Sequence, residues 1–212
     1  MKRLMAAAIV LLFVGTMLFS SAVADEMTYE EIWAELEGWI YEYGTDKEQI
    51  LEDKKAYTEI EREHYFRDFK LYSTVIDGYE FEILYIFHND IIMNEDGTES
   101  TKEFLEQLCI SFYNDEYLQI VNKDLPQDFF AYIESLFDFQ YPNAEKSIID
   151  DENMQLFPNT YYIYHSANYL IDWENEKDEE GSEKQFNAYT IKVWTNDDQR
   201  VCGADIDIEE EN

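Results

Sequence analysis

The sequence predicts an α+β fold: an N-terminal helical hairpin and middle helices packed on an antiparallel sheet, with the strands mainly in the C-terminal third. Three observations predict it. Capping residues followed by apolar positions at helical spacing come first, after residue 24. Period-two alternation then flanks the dipeptide Asp77-Gly78. Helical and strand patterns also fall in separate blocks with strand neighbours joined by turns, whereas a wound parallel sheet alternates them.

The first helix starts at Thr28, which forms a capping box with Glu31, and carries Ile32, Leu36, Trp39, Ile40 and Tyr43 inward until Gly44 ends it. Thr45 with Glu48 repeats the start signal. The second helix turns Ile50, Leu51, Tyr57, Ile60 and His64 to the core and completes the hairpin.

Strands are expected at Leu71 to Ile76 and Tyr79 to His88, joined by Asp77-Gly78 in a type I′ turn because both residues tolerate positive φ. Tyr79, Phe81, Ile83, Tyr85 and Phe87 line one face, Glu80 and Glu82 begin the other, and Ile91 to Met93 extend the strand to a turn at Asp96-Gly97. Phe104, Leu105, Leu108, Cys109 and Phe112 then read as the stripe of a helix opened by Ser100 or Thr101, and Pro126 opens another running to about Phe137. Strands follow at Thr160 to Tyr164, Tyr169 to Trp173, Phe186 to Trp194 and Arg200 to Ile208. The turn Asn196-Asp197-Asp198 joins the last two, and Glu174 to Gln185 is a charged loop.

The N-terminus addresses the chain outward. Lys2 and Arg3 precede an apolar run from Leu4 to Phe19, and Ala22-Val23-Ala24 is a small-x-small site, so residues 1–24 read as a signal peptide cleaved before Asp25. The run is shorter than the roughly 20 apolar residues of a membrane span. The expected product is one secreted domain, residues 25–212, with no membrane attachment. It keeps 13 basic against 48 acidic residues, a formal charge of −35. Such a field repels nucleic acid phosphates and anionic membranes and favours a basic partner, a protein surface or a cell-envelope component. With 46% hydrophobic and 17% aromatic residues, a core still forms.

Chemical motifs are scarce. Seven glycines, at 15, 38, 44, 78, 97, 181 and 203, assemble neither a phosphate loop nor a dinucleotide fingerprint. GxSxG, Cys-x-x-Cys and His-Glu-x-x-His are missing too, and no cofactor is implied. His64, His88 and His165 lie on separate elements, and Ser166 beside His165 points to the opposite face of a strand. Cys109 and Cys202 allow two readings: a disulfide closing a loop of about 94 residues, worth roughly 4 to 5 kcal/mol, or two buried thiols.

Two side-chain groups stand out as candidate sites. Asp205, Asp207 and Glu209 alternate on the outward face of the last strand; a calcium ion needs about six to eight oxygens around one point, so a solvated strand face is the simpler reading. Tyr161, Tyr162, Tyr164, Tyr169 and Trp173 are the densest aromatic group, suited to stacking on a sugar or a protein surface, although a tyrosine-rich core and sheet surface is the simpler reading. The expectation is a non-catalytic extracellular binding domain. The alternative is a secreted hydrolase using a carboxylate pair or a carboxylate with a histidine.

Overall fold

A computed structural model describes residues 26–61, 68–93, 97–115, 119–173 and 185–211. The expected signal peptide and His64 lie outside the described residues, as does the expected loop Glu174 to Gln185 apart from Gln185, which is in a strand. Seven strands form one antiparallel sheet: β1 (Phe69–Ile76), β2 (Tyr79–Met93), β3 (Glu99–Tyr113), β4 (Glu145–Phe157), β5 (Thr160–Trp173), β6 (Gln185–Thr195) and β7 (Val201–Glu211), in spatial order β1-β2-β3-β7-β6-β5-β4. The helices are α1 (Tyr29–Glu37), α2 (Lys47–Lys54) and α3 (Gln127–Gln140). The class is α+β as expected, but the strands run from residue 69 to residue 211 and are not confined mainly to the last third.

The hairpin turn forms as its residues dictate, with Asp77 at φ 50° and Gly78 at φ 82°. The helix expected over Phe104–Phe112 is instead β3. The reason is a bulge: Ile86 pairs with Gln107 while Phe87 pairs with Leu105, so Glu106 is an extra residue and the buried set becomes Leu105, Leu108, Ile110 and Phe112. One three-residue step in a two-residue period imitates helical spacing. Phe104 and Cys109, which completed the apparent stripe, belong to the other face.

The opening helix also stops early. Thr28 and Glu31 form the capping box, with Thr28 N donating to Glu31 Oε2 at 2.8 Å, yet α1 ends at Glu37. Beyond it the carbonyl of Trp39 accepts the hydroxyl of buried Tyr85 at 2.7 Å. Gly44 N donates to Leu105 O at 2.9 Å, and Leu105 N donates to Thr45 O at 2.8 Å. The chain therefore leaves the helix to pair with the sheet at the bulge, and Gly44 supplies the positive φ of that exit. Asp46, rather than Thr45, caps α2. Two expected strands, 160–164 and 169–173, are one continuous β5, and β4 was not expected at all. β4 is an edge strand exposed along nearly its whole length, so it carries no apolar alternation to read.

The helices pack on one face of the sheet. Ile83, Ile110, Ile206, Ile191 and Ala167 form a row across five strands, covered by Ile32, Trp33, Leu36, Ile50, Phe129, Phe130, Ile133 and Phe137. Phe137 sits at the centre of an aromatic cluster, 5.5 to 5.7 Å from the rings of Trp33, Tyr169 and Tyr189. Among the described residues no helix is long and apolar enough to cross a membrane.

The opposite face holds polar rows: Glu82, Ser111, Asp205, Lys192 and Ser166, then Leu84, Cys109, Asp207, Thr190 and Asn168. Trp194 lies flat on Gly203 here; a Cβ at that glycine would come within 2.2 Å of the indole ring. This is a close approach that only glycine permits.

Candidate functional site

The end of β3, the start of β5 and the turn between β6 and β7 enclose a cavity of about 440 Å³. Its lining comes from Asn114 and Asp115, from Thr160, Tyr161 and Tyr162, and from Asn196, Asp198, Arg200 and Cys202. Neighbouring strand residues point to opposite faces. Tyr161 and Tyr162 nevertheless both line the cavity because it wraps around the end of the sheet.

The turn shapes one wall. Asn196 Oδ1 accepts the backbone N–H groups of Asp198 at 3.1 Å and Arg200 at 2.9 Å, the Asx geometry that closes a turn locally. The floor is a fixed polar network. Asn114 is 1% exposed; its amide donates to Asp124 Oδ1 at 2.9 Å and its Oδ1 accepts from Asn122 N at 3.0 Å and Arg200 Nη2 at 2.8 Å. Arg200 Nε donates to Asp124 Oδ1 at 2.5 Å. Asp115 is 5% exposed, and the buried Tyr162 hydroxyl donates to its Oδ2 at 2.5 Å. These charge-assisted bonds hold a buried carboxylate and a guanidinium in place. Tyr161, by contrast, is 58% exposed.

The expected aromatic group is thus divided. Tyr161 and Tyr162 meet at the cavity. Tyr164 is half-buried on the helix-free face opposite Trp194. Tyr169 is 1% exposed in the core, its hydroxyl donating to Glu134 O at 3.2 Å. Trp173 ends β5, and its side chain lies outside the described residues. Sequence reasoning missed Asn114, Asp115, Asp124 and Arg200, because reading β3 as a helix hid the strand end that delivers the first two. The signal available was the polar Asn114-Asp115 pair directly after an apolar run.

The carboxylate row is not a solvated face. Asp207 is only 6% exposed and is ion-paired with Lys192. Asp205 is mostly buried, and burial, reinforced by Asp207, pushes its carboxyl up to about 6 against the pull of Ser111, Lys192 and Tyr113. Glu209 is exposed two residues further along. Among the described residues, no group of three or more His, Cys, Asp or Glu side chains is placed to hold a metal ion.

Cys109 and Cys202 are free thiols. Cys109 pairs with Asp207, and the carbonyl of Cys202 accepts from Asn114 N, so the two sit five residues apart along the β3–β7 pair, about 17 Å. A disulfide spans less than about 7 Å between Cα atoms, so the pair is not bridged. Burial raises both thiols and leaves them poor nucleophiles.

His165 and Ser166 face opposite sides, as their adjacency requires. His165 turns to the helix side, with Nδ1 2.6 Å from Asp150 Oδ1 and Nε2 2.8 Å from Glu134 Oε1. Burial lowers its pKa, but the two carboxylates outweigh this and raise it overall. His88 lies in the described region far along β2, 3.4 Å from Asp90 Oδ1. No family model, no curated protein and no solved structure matches the chain.

Proposed function

We propose that the chain is a secreted, non-catalytic binding domain that engages a basic protein surface or a cell-envelope component through the cavity at the strand ends. The observation that carries this reading is the contrast at that cavity between an exposed Tyr161 ring and a polar floor already fixed by its own hydrogen bonds. A preorganised site with one large open aromatic face suits recognition, because little ordering is left to oppose binding. Export of the chain is part of the same proposal and rests on residues 1–24.

The test is capture from the producing culture at physiological salt, with the secreted chain and its Tyr161→Ala variant as baits. A partner held by the first and lost by the second supports the proposal. Equal capture by both, with the variant folded, counts against it.

A second reading, a hydrolase working through a carboxylate pair, is favoured by one observation, the raised carboxyl of Asp205 beside Asp207. Its signature would be hydrolysis of a neutral glycan abolished by Asp205→Asn and retained by Tyr161→Ala.

A further inference from the structure

We infer that the strand-end cavity receives a cationic side chain, the ammonium of a lysine presented by the partner. This rests on the binding reading above and specifies its ligand.

The chain's own lysines reveal the chemistry it uses. Lys123 Nζ lies 4.4 Å from the Tyr79 ring centre and 3.1 Å from Asp77 Oδ2. Lys146 Nζ lies 4.8 Å from the Tyr169 ring centre and 2.9 Å from Asp138 Oδ1. Lys54 is buried over Trp39 at 4.3 Å and donates to the carbonyl of Gly38 at 2.6 Å. Each niche pairs an aromatic face with an oxygen acceptor, which suits a compact ammonium.

The cavity repeats that combination on a larger scale. Tyr161 supplies the exposed ring, Asp198 an exposed carboxylate and Asp115 a buried one that accepts the hydroxyl of buried Tyr162, and among the described lining residues there is no lysine. The one cation among the described lining residues, Arg200, is bound to Asp124 and Asn114. Among the described residues, counting Asp124 with the lining acids gives three carboxylates to one guanidinium, and these together leave the local field negative. The wider charge of the exported chain concentrates cations around it and speeds their arrival. Beyond about 8 Å that field is screened in physiological salt, so the local acids and rings must supply the retention.

The probe is a pentapeptide with one central lysine and glycine flanks, blocked at both ends, titrated into the secreted chain at physiological salt while backbone amide shifts are followed. The expected shifts are at Asp115, Tyr161, Tyr162 and Asn196 to Arg200. Acetylation of the lysine Nζ removes the charge and should weaken binding by roughly tenfold or more, as expected for loss of a charge-assisted contact and a cation–π contact. Asp115→Asn should weaken it by about fivefold or more, whereas Glu152→Gln on exposed β4 should change it by less than about twofold. Because the acetylated peptide alters the ligand and not the protein, the comparison stands even if Asp115→Asn fails to fold.

Equal binding of charged and acetylated peptides, or shifts that avoid the cavity, overturns the inference. If a neutral hexasaccharide moves the cavity amides and the lysine peptide does not, the cation inference fails while the binding reading survives. If neither moves them and Tyr161→Ala captures the partner normally, both fail.

Discussion

The two faces of the sheet are built by the same strands and solve different problems. On the helix-covered face, Ile83, Ile110, Ile206 and Ile191 meet α1, α2 and α3, and burial removes apolar area from water at no electrostatic cost. On the helix-free face, Asp205, Asp207, Ser111 and Cys109 are also largely withdrawn from water, and here every group needs a partner, as Asp207 finds in the part-exposed Lys192. Among the described residues, two buried side-chain oxygens lack a hydrogen-bond partner, Asn168 Oδ1 and Asp205 Oδ1, and both lie on this face. Comparable burial therefore stabilises on one side and costs on the other.

Opposite responses to mutation follow, and the largest comes from the apolar side. Leu108 is fully buried on the helix-covered face, and Leu108→Ala should destabilise the fold by about 2 to 5 kcal/mol, measured by denaturant unfolding. Asp205→Asn should do the reverse above neutral pH. Its carboxyl is raised to about 6 from 3.8, so the folded state favours the neutral form; the cost is absent below the lower value, grows between the two, and is complete above the higher. At pH 8 the substitution should recover on the order of 3 kcal/mol at most, and at pH 3.5 almost nothing. Destabilisation by Asp205→Asn that is equal at both pH values would break the comparison.

The smallest effect sharpens it at the edge. His165 ties β4, through Asp150, to α3, through Glu134, while Lys146 bridges Glu134 at 3.5 Å and Asp138 at 2.9 Å. A neutral imidazole has one N–H for two carboxylates; a protonated one has two. Because the folded pKa is raised, this contribution is complete below the unfolded value near 6.5 and is lost as pH rises through the folded value. His165→Gln should remove less than about 1 kcal/mol at pH 5.5 and less at pH 9, in keeping with a partly exposed ion pair. A loss that grows with pH would contradict this.

The sequence made much of this architecture legible, and the errors share one cause. Period and turn chemistry located β1, β2, the Asp77-Gly78 turn and α3, because those signals are local. Glu106, a single inserted residue, changed the spacing of β3 from strand-like to helix-like. β4 was invisible because an edge strand solvated on both faces has no core pattern to display. The end of α1 is set by hydrogen bonds to Leu105 and Tyr85, about 60 and 50 residues away in sequence, and no window around Trp39 contains them.

The candidate site was half legible for a related reason. Aromatic density drew attention to Tyr161 and Tyr162, but the same count included Tyr169, which the sheet sends into the core. The floor joins Asn114, Asp124 and Arg200 across the fold: the β3–β7 pairing brings Asn114 beside Arg200, and the segment after β3 returns Asp124 to both. The raised carboxyl of Asp205 likewise depends on the burial that strand pairing imposes, reinforced by Asp207, against the hydrogen bonds of Ser111 and Tyr113 from the neighbouring strand.

The central claim, that recognition occurs at the strand-end cavity and not over the acidic surface at large, is tested most directly by hydrogen exchange of the chain with and without a captured partner at physiological salt. The account predicts new protection in segments 160–162 and 196–202, with the exposed edge strand 145–157 unchanged. Protection spread along 145–157, with 160–162 and 196–202 exchanging as in the free chain, would contradict it.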